Sequence, residues 1–223
     1  MTGPWHRDTL SIDQQLALTT AATNLAREFD DTFGTETIER FLHSSYDEFA
    51  GRAVVLNFLP LLAERFARQR LRALARVEGH DDDGRPVALF LCTHNAGRSQ
   101  MALGFFTHLT GDRAVGWSGG SSPAHTVNPA AVAAMAEVGI DISSEFPKPW
   151  TDEIVRAADA VITMGCGDAC PIFPGRRYED WDIADPDGLD LAAVRPIRDA
   201  IEQRVRRLVD ELLPAPVRHR SHP

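Results

Sequence analysis

What this sequence lacks narrows it first. No stretch of its 223 residues reaches the ~18 consecutive apolar residues of a membrane span. The opening MTGPWHRDTLSIDQQ has no apolar core of the kind a signal peptide needs, so a cytoplasmic protein is expected. Cysteine is scarce: there are three, an odd number that suits no static disulfide framework. In a reducing compartment, free thiols point instead to catalysis, redox work or metal. Positive charge is scarce too, with a formal net charge of -9. Residues 1–79 carry 9 basic against 11 acidic side chains and the remainder 14 against 21, so neither half is a nucleic-acid binder. Any anion must be captured by a local site.

What is present begins with helical periodicity. Leu18, Ala22, Leu25 and Phe29 form one apolar stripe, after which Gly34 can end a helix and Thr35 can cap the next. Ile38, Leu42, Tyr46 and Phe49 make a second stripe, and Ala63, Ala67, Leu71 and Leu74 a third. Pro60 suits a first turn, or else kinks a longer helix begun near Ala53. The five arginines from Arg65 to Arg76 read as a solvated face rather than a phosphate-contacting stripe. Residues 1–79 are thus expected to be a three-helix N-terminal bundle. Such short helices bury both faces poorly, which predicts a homodimer through them.

Residues 80–86 read as a polar, acidic linker closed by Gly84 and Pro86. Beyond it, strand-like runs at 87–91, 114–118 and 159–163 alternate with helical stretches near 98–109, 128–138, 150–157 and 192–213. That alternation predicts an α/β domain over 87–213, with a parallel sheet flanked by helices. The tail 214–223 is expected to be disordered.

One stretch, VALFLCTHNAGRSQMA at 87–102, joins these patterns to chemistry. Cys92 falls at the carboxyl end of a strand, where doubly wound sheets bind ligands. The turn after it contains Asn95 and Gly97, residue types that tolerate unusual backbone angles and can aim amides inward at an anion. A helix beginning near Arg98 adds the positive end of its dipole, and the Arg98 guanidinium a fork for two oxygens. This field favours the Cys92 thiolate. Thr93, His94, Asn95, Ala96, Gly97, Arg98 and Ser99 are the candidate oxyanion-binding residues. Ser99 is able to donate to the sulfur or to the anion, and His94 is the weakest of the set.

CTHNAGRS resembles the cysteine, five residues, arginine, serine loop of the low-molecular-weight phosphotyrosine phosphatase superfamily. The likeness continues through SGGSSPAHTVNPAAVAAMAEVGIDIS, ADAVITMGCGDACP and YEDWDIADP. Within that superfamily the chain looks most like the arsenate reductases. The resemblance implies a four-stranded parallel sheet and a three-cysteine relay. In that relay the Cys92 thiolate attacks arsenate, Cys166 then forms a disulfide with Cys92, and Cys170 takes over Cys166. Asp185, in ADP, stands where the superfamily carries its general acid.

Gly165 and Gly167 around Cys166 suit a loop that swings. Zinc would need further ligands that no second C-x-x-C or H-x-x-x-H supplies, so no metal is assigned. Some family reductases bind potassium through a glutamate that is Leu103 here, and that site is not carried over.

The resemblance implies no bound cofactor, arsenate as substrate with phosphate or sulfate as analogues, and an external thiol reductant. Thioredoxin is favoured. The close spacing of Cys166 and Cys170 keeps mycothiol with a mycoredoxin-like partner open. Rival readings are a protein-tyrosine phosphatase and a redox-sensing or oxyanion-binding module. Against the phosphatase stand DPDG, where ring-pocket tyrosines usually follow, and Gly97, where a second cysteine is common.

Overall fold

A computed structural model of the chain describes residues 10–51, 58–80, 83–165 and 172–213. In chain order the helices are α1 (Ile12–Glu28), α2 (Thr35–Ala50), α3 (Leu59–Val77), α4 (Arg98–Thr110), α5 (Pro129–Ala136), α6 (Asp152–Ala157) and α7 (Leu191–Leu212). The strands are β1 (Val87–Cys92), β2 (Val115–Gly120), β3 (Ala160–Met164) and β4 (Arg177–Asp180). No described helix is long and apolar enough to cross a membrane.

The chain packs as two compact units. One takes the residues through Asp83 together with Thr151–Ala157. The other takes Gly84–Trp150 and the residues from Ala158 onward. The stretch 150–157 was expected as part of the α/β domain, yet Thr151–Ala157, carrying α6, joins the helical unit.

In the helical unit the three stripes become core. Leu18, Leu25 and Phe29, all four α2 positions, and Ala63, Ala67 and Leu71 are buried, while Ala22 and Leu74 are half-buried. Ser11 caps α1 through a reciprocal capping box with Gln14. Two boundary expectations give way. The first helix ends at Glu28 with Phe29 as its cap, and Gly34 is the N-cap of α2, leaving Thr35 as its first helical residue. Pro60 sits in the first turn of α3, as expected; the alternative helix from Ala53 lies outside the described residues.

The arginine face of α3 is not simply solvated. Arg68 pairs with Glu28 at 2.6 Å and Glu64 at 2.8 Å, and Arg72 with Glu28 at 2.7 Å. Arg70 is the most enclosed of these three. It meets Glu153 of α6 at 2.6 Å, donates to Ser44 and Ser45, and lies over the rings of Phe41 and Phe66.

The second unit is a parallel sheet in the order β2-β1-β3-β4. Its β1 is buried along all six residues, as a strand covered on both faces must be. Phe90 packs edge-on against Phe106 of α4 and tilted against Trp181, joining the sheet to the helices. Three strands follow the expected runs. The fourth, Arg177–Asp180, is a short charged edge without apolar alternation, which explains why periodicity passes over it. Because β2 and β3 flank β1, the chain reverses direction across the sheet at β1. The carboxyl end of β1 is therefore the switch point where such sheets take ligands.

Candidate active site

The loop after Cys92 can be read by asking where its backbone groups go. The carbonyls of Thr93, His94 and Ala96 accept from the amides of Ser122, Ala124 and Asn128 at 2.8–2.9 Å. That of Asn95 accepts from Gln100 Nε2 at 3.0 Å and that of Gly97 from the Met101 amide at 3.0 Å. Five successive carbonyls are thus satisfied from outside the loop. The amides of Thr93 to Ser99, among the described residues, donate to no backbone carbonyl. A loop whose carbonyls are engaged from outside and whose amides find no backbone acceptor can form a nest for an anion. Helix α4 starts at Arg98 with no side-chain cap, so its terminal amides add to the same field.

Cys92, the expected nucleophile, is buried beside this loop. Cys92 Sγ lies 3.0 Å from Ser99 Oγ. Asn95 Nδ2 donates to the same Ser99 oxygen at 2.8 Å, and Asn95 Oδ1 accepts from Gln100 Nε2 and the Lys148 amide. Asn95 is, among the described residues, the one non-glycine at positive φ, +46°. Its side-chain bonds hold a conformation that costs most residues energy, as functional turns often require.

Arg98 is buried, and its fork is divided. Nη2 donates to Asp185 Oδ2 at 2.5 Å and Nη1 to the Ile183 carbonyl at 3.4 Å. Nε, also buried, has no hydrogen-bond partner among the described residues, an unmet donor beside an anion nest.

Two glycines allow these approaches. A Cβ on Gly97 would come 2.4 Å from Pro186 Cγ, so only glycine lets the Asp–Pro turn close on the loop. Gly165, at φ +72°, would bring a Cβ 2.7 Å from Arg98 Nη1. Its carbonyl accepts from Thr93 Oγ1 at 2.8 Å.

A cleft of about 280 Å³ is lined by Cys92, His94, Ala96, Gly97 and Arg98, by the segment Ala124–Pro129, and by Asp185–Asp187. Of the expected residues, the fold brings Cys92, the whole loop 93–99 and Asp185 together. His94 is exposed and joins the loop's fixed framework through its carbonyl. Cys166 and Cys170 lie outside the described residues. Sequence reasoning missed Gln100, Lys148 and Asn128, whose side chain caps α5 and donates to the Pro186 carbonyl at 3.2 Å. Only Asn128 carried a signal, as asparagine before proline at a helix start.

The low molecular weight phosphotyrosine protein phosphatase family matches residues 87–216. This chain belongs to that family. Ahead of the match, residues 18–75 correspond to the N-terminal domain of protein-tyrosine-phosphatase-like proteins. Among family relatives, arsenate reductase 2 of Staphylococcus haemolyticus is 41% identical over 120 residues, covering 52% of this chain and 90% of the relative. An arsenate reductase of Halalkalibacterium halodurans is 41% identical over 130 residues, covering 54% and 92%.

Both units have a counterpart in a solved thioredoxin-dependent arsenate reductase of Corynebacterium glutamicum. It is 41% identical, covers 89% of this chain and 98% of its own, and has a TM-score of 0.81. A second solved arsenate reductase, in a phosphate-binding state, is 34% identical with a TM-score of 0.50, covering 57% of this chain and 98% of its own.

Proposed function

We propose that this chain reduces arsenate to arsenite with thioredoxin as the external reductant. The observation that carries the reading is the loop itself, with its unengaged amides beside Cys92 and the divided fork of Arg98. Similarity to a thioredoxin-dependent arsenate reductase over 89% of the chain supports the choice of oxyanion and reductant.

In this reading arsenate enters the nest and draws the Arg98 fork away from Asp185. The Cys92 thiolate attacks arsenic, a Cys92 sulfur–arsenic bond forms, and an arsenate hydroxyl group leaves as water with a proton from Asp185. The Cys166 thiolate then attacks Cys92 Sγ. The sulfur–arsenic bond breaks, its electron pair stays on arsenic, and arsenic(V) departs as arsenite. Cys92 and Cys166 are now oxidised to a disulfide. Cys170 attacks Cys166 and frees Cys92 as thiolate, and a dithiol supplies the two electrons that reopen Cys166–Cys170.

Arsenate-dependent NADPH oxidation through thioredoxin reductase and thioredoxin tests the activity. Cys170→Ser is expected to stop after a single arsenite per enzyme, with a Cys92–Cys166 disulfide seen by mass spectrometry. Sustained turnover by that variant on thioredoxin alone would rule out the three-cysteine relay.

The helical unit leaves Ile12 and Leu16 on α1, and Phe58 and Leu61 at the start of α3, exposed. That pattern supports its proposed use as the contact with a second copy. Light scattering should give a dimer for the native chain and a monomer for Leu16→Glu.

A further inference from the structure

The chain contains one lysine among its 23 basic residues, Lys148, and it is buried to 3% exposure. Lysines are rarely enclosed unless something inside the fold needs the charge. Its ammonium donates to Ser118 Oγ at 3.3 Å and to the Phe146 carbonyl at 3.5 Å. It also lies 3.8 Å from the Glu145 carboxylate and 4.7 Å from the centroid of the Phe146 ring. The chemistry proposed above makes no use of this cation.

The backbone of the same residue touches the anion loop. Its amide donates to Asn95 Oδ1 at 2.9 Å, and its carbonyl accepts from the Gly120 amide at 2.9 Å, at the end of β2. The Phe146 carbonyl that receives the ammonium also receives Gln100 Nε2 at 3.3 Å. These contacts set a direction. With two donors on Oδ1, the Asn95 amide must present Nδ2 to Ser99 Oγ. A hydroxyl that accepts there has its own proton for Cys92 Sγ.

We propose that Lys148 is a positioning residue for the anion loop. Its ammonium pins the Phe146–Lys148 turn, the turn orients Asn95, and Asn95 makes Ser99 a donor to the Cys92 sulfur. A compact ammonium fits a hydroxyl, a carbonyl and a ring face at these distances. A buried charge need not add to stability, so loss of reactivity and loss of stability separate on mutation.

The inference deepens the thiolate role given to Cys92 and rests on it, and its test uses no arsenate. In the full-length chain, iodoacetamide alkylation of Cys92 is followed across pH by peptide mass spectrometry, with thermal unfolding measured alongside. Lys148→Met should alkylate roughly fivefold more slowly at pH 7, about the worth of one hydrogen bond to the sulfur. Its pH profile should be displaced upward. Ser118→Ala should show a smaller displacement in the same direction.

Wild-type profiles in both folded variants would overturn the proposal, whatever their unfolding temperatures. Should Lys148→Met not fold, Ser118→Ala decides alone by the same criterion. A native Cys92 that reacts no faster than an ordinary thiol would instead sink the thiolate reading, and this inference with it.

Discussion

At the scale of single residues, the site depends on atoms that are not there. Gly97 has no Cβ, and Pro186 occupies the space one would fill. In Gly97→Ala the Asp–Pro turn must retreat, loosening Asp185 from Arg98. Displacement of about an ångström at a catalytic group costs on the order of tenfold to a hundredfold in rate. Steady-state kinetics with arsenate should therefore show a fall mainly in kcat, and unchanged kinetics would mean that Pro186 does not set the position of Asp185, the acid in the proposed reaction. Gly165→Ala combines a positive φ with a collision at Arg98 Nη1. It is expected to cost about 1–2 kcal/mol of stability in urea unfolding, and added phosphate should slow alkylation of Cys92 less in this variant than in the native chain. Gly97 was legible as part of a contiguous motif. Its contact with Pro186 was not, because only folding brings the two together.

At the scale of elements, α3 is held to α1 and α6 by ion pairs as well as by its apolar stripe. Burial raises the Glu28 carboxyl, but hydrogen bonds from Arg68 and Arg72 outweigh it and leave it below the usual glutamate value. A group held lower in the folded state stabilises above its unfolded value and loses that contribution as pH falls through the folded one. The chain should therefore lose stability on acidification below about pH 4.5, and Glu28→Gln should flatten that part of the profile. Because the pair is partly solvated, the difference should stay below about 1 kcal/mol. Arg70 is a different case, sandwiched over two rings and paired with Glu153. Glu153→Gln, which leaves that guanidinium without its carboxylate, should cost about 1–3 kcal/mol in urea unfolding. The arginine stripe was visible in the sequence, but its partners Glu28 and Glu153, forty or more residues away, were not.

At the scale of the whole molecule, the helical unit takes its last helix from inside the α/β sequence. Ile154 and Val155 of α6 are fully buried, in a unit otherwise drawn from the residues before Gly84. Residues 84–223 produced alone would retain Cys92, Arg98 and Asp185 yet leave α6 without the unit it packs in. That fragment should bind the dye ANS and aggregate at concentrations where the full chain does not. A monodisperse fragment with native arsenate affinity would show that α6 is dispensable to the domain.

The sequence by itself determined the periodic elements and the contiguous Cys92–Ser99 motif, because each is written in neighbouring residues whose spacing carries its own signal. It also carried the family, through motifs of the same contiguous kind. Tertiary structure alone decided the closing of Pro186 on Gly97, the division of Arg98 between Asp185 and Ile183, the docking of α6 with α3, and the burial of Lys148 behind Asn95. Each of these joins residues far apart in the chain, and burial, on which the worth of a charge or a hydrogen bond depends, exists only after the chain has folded.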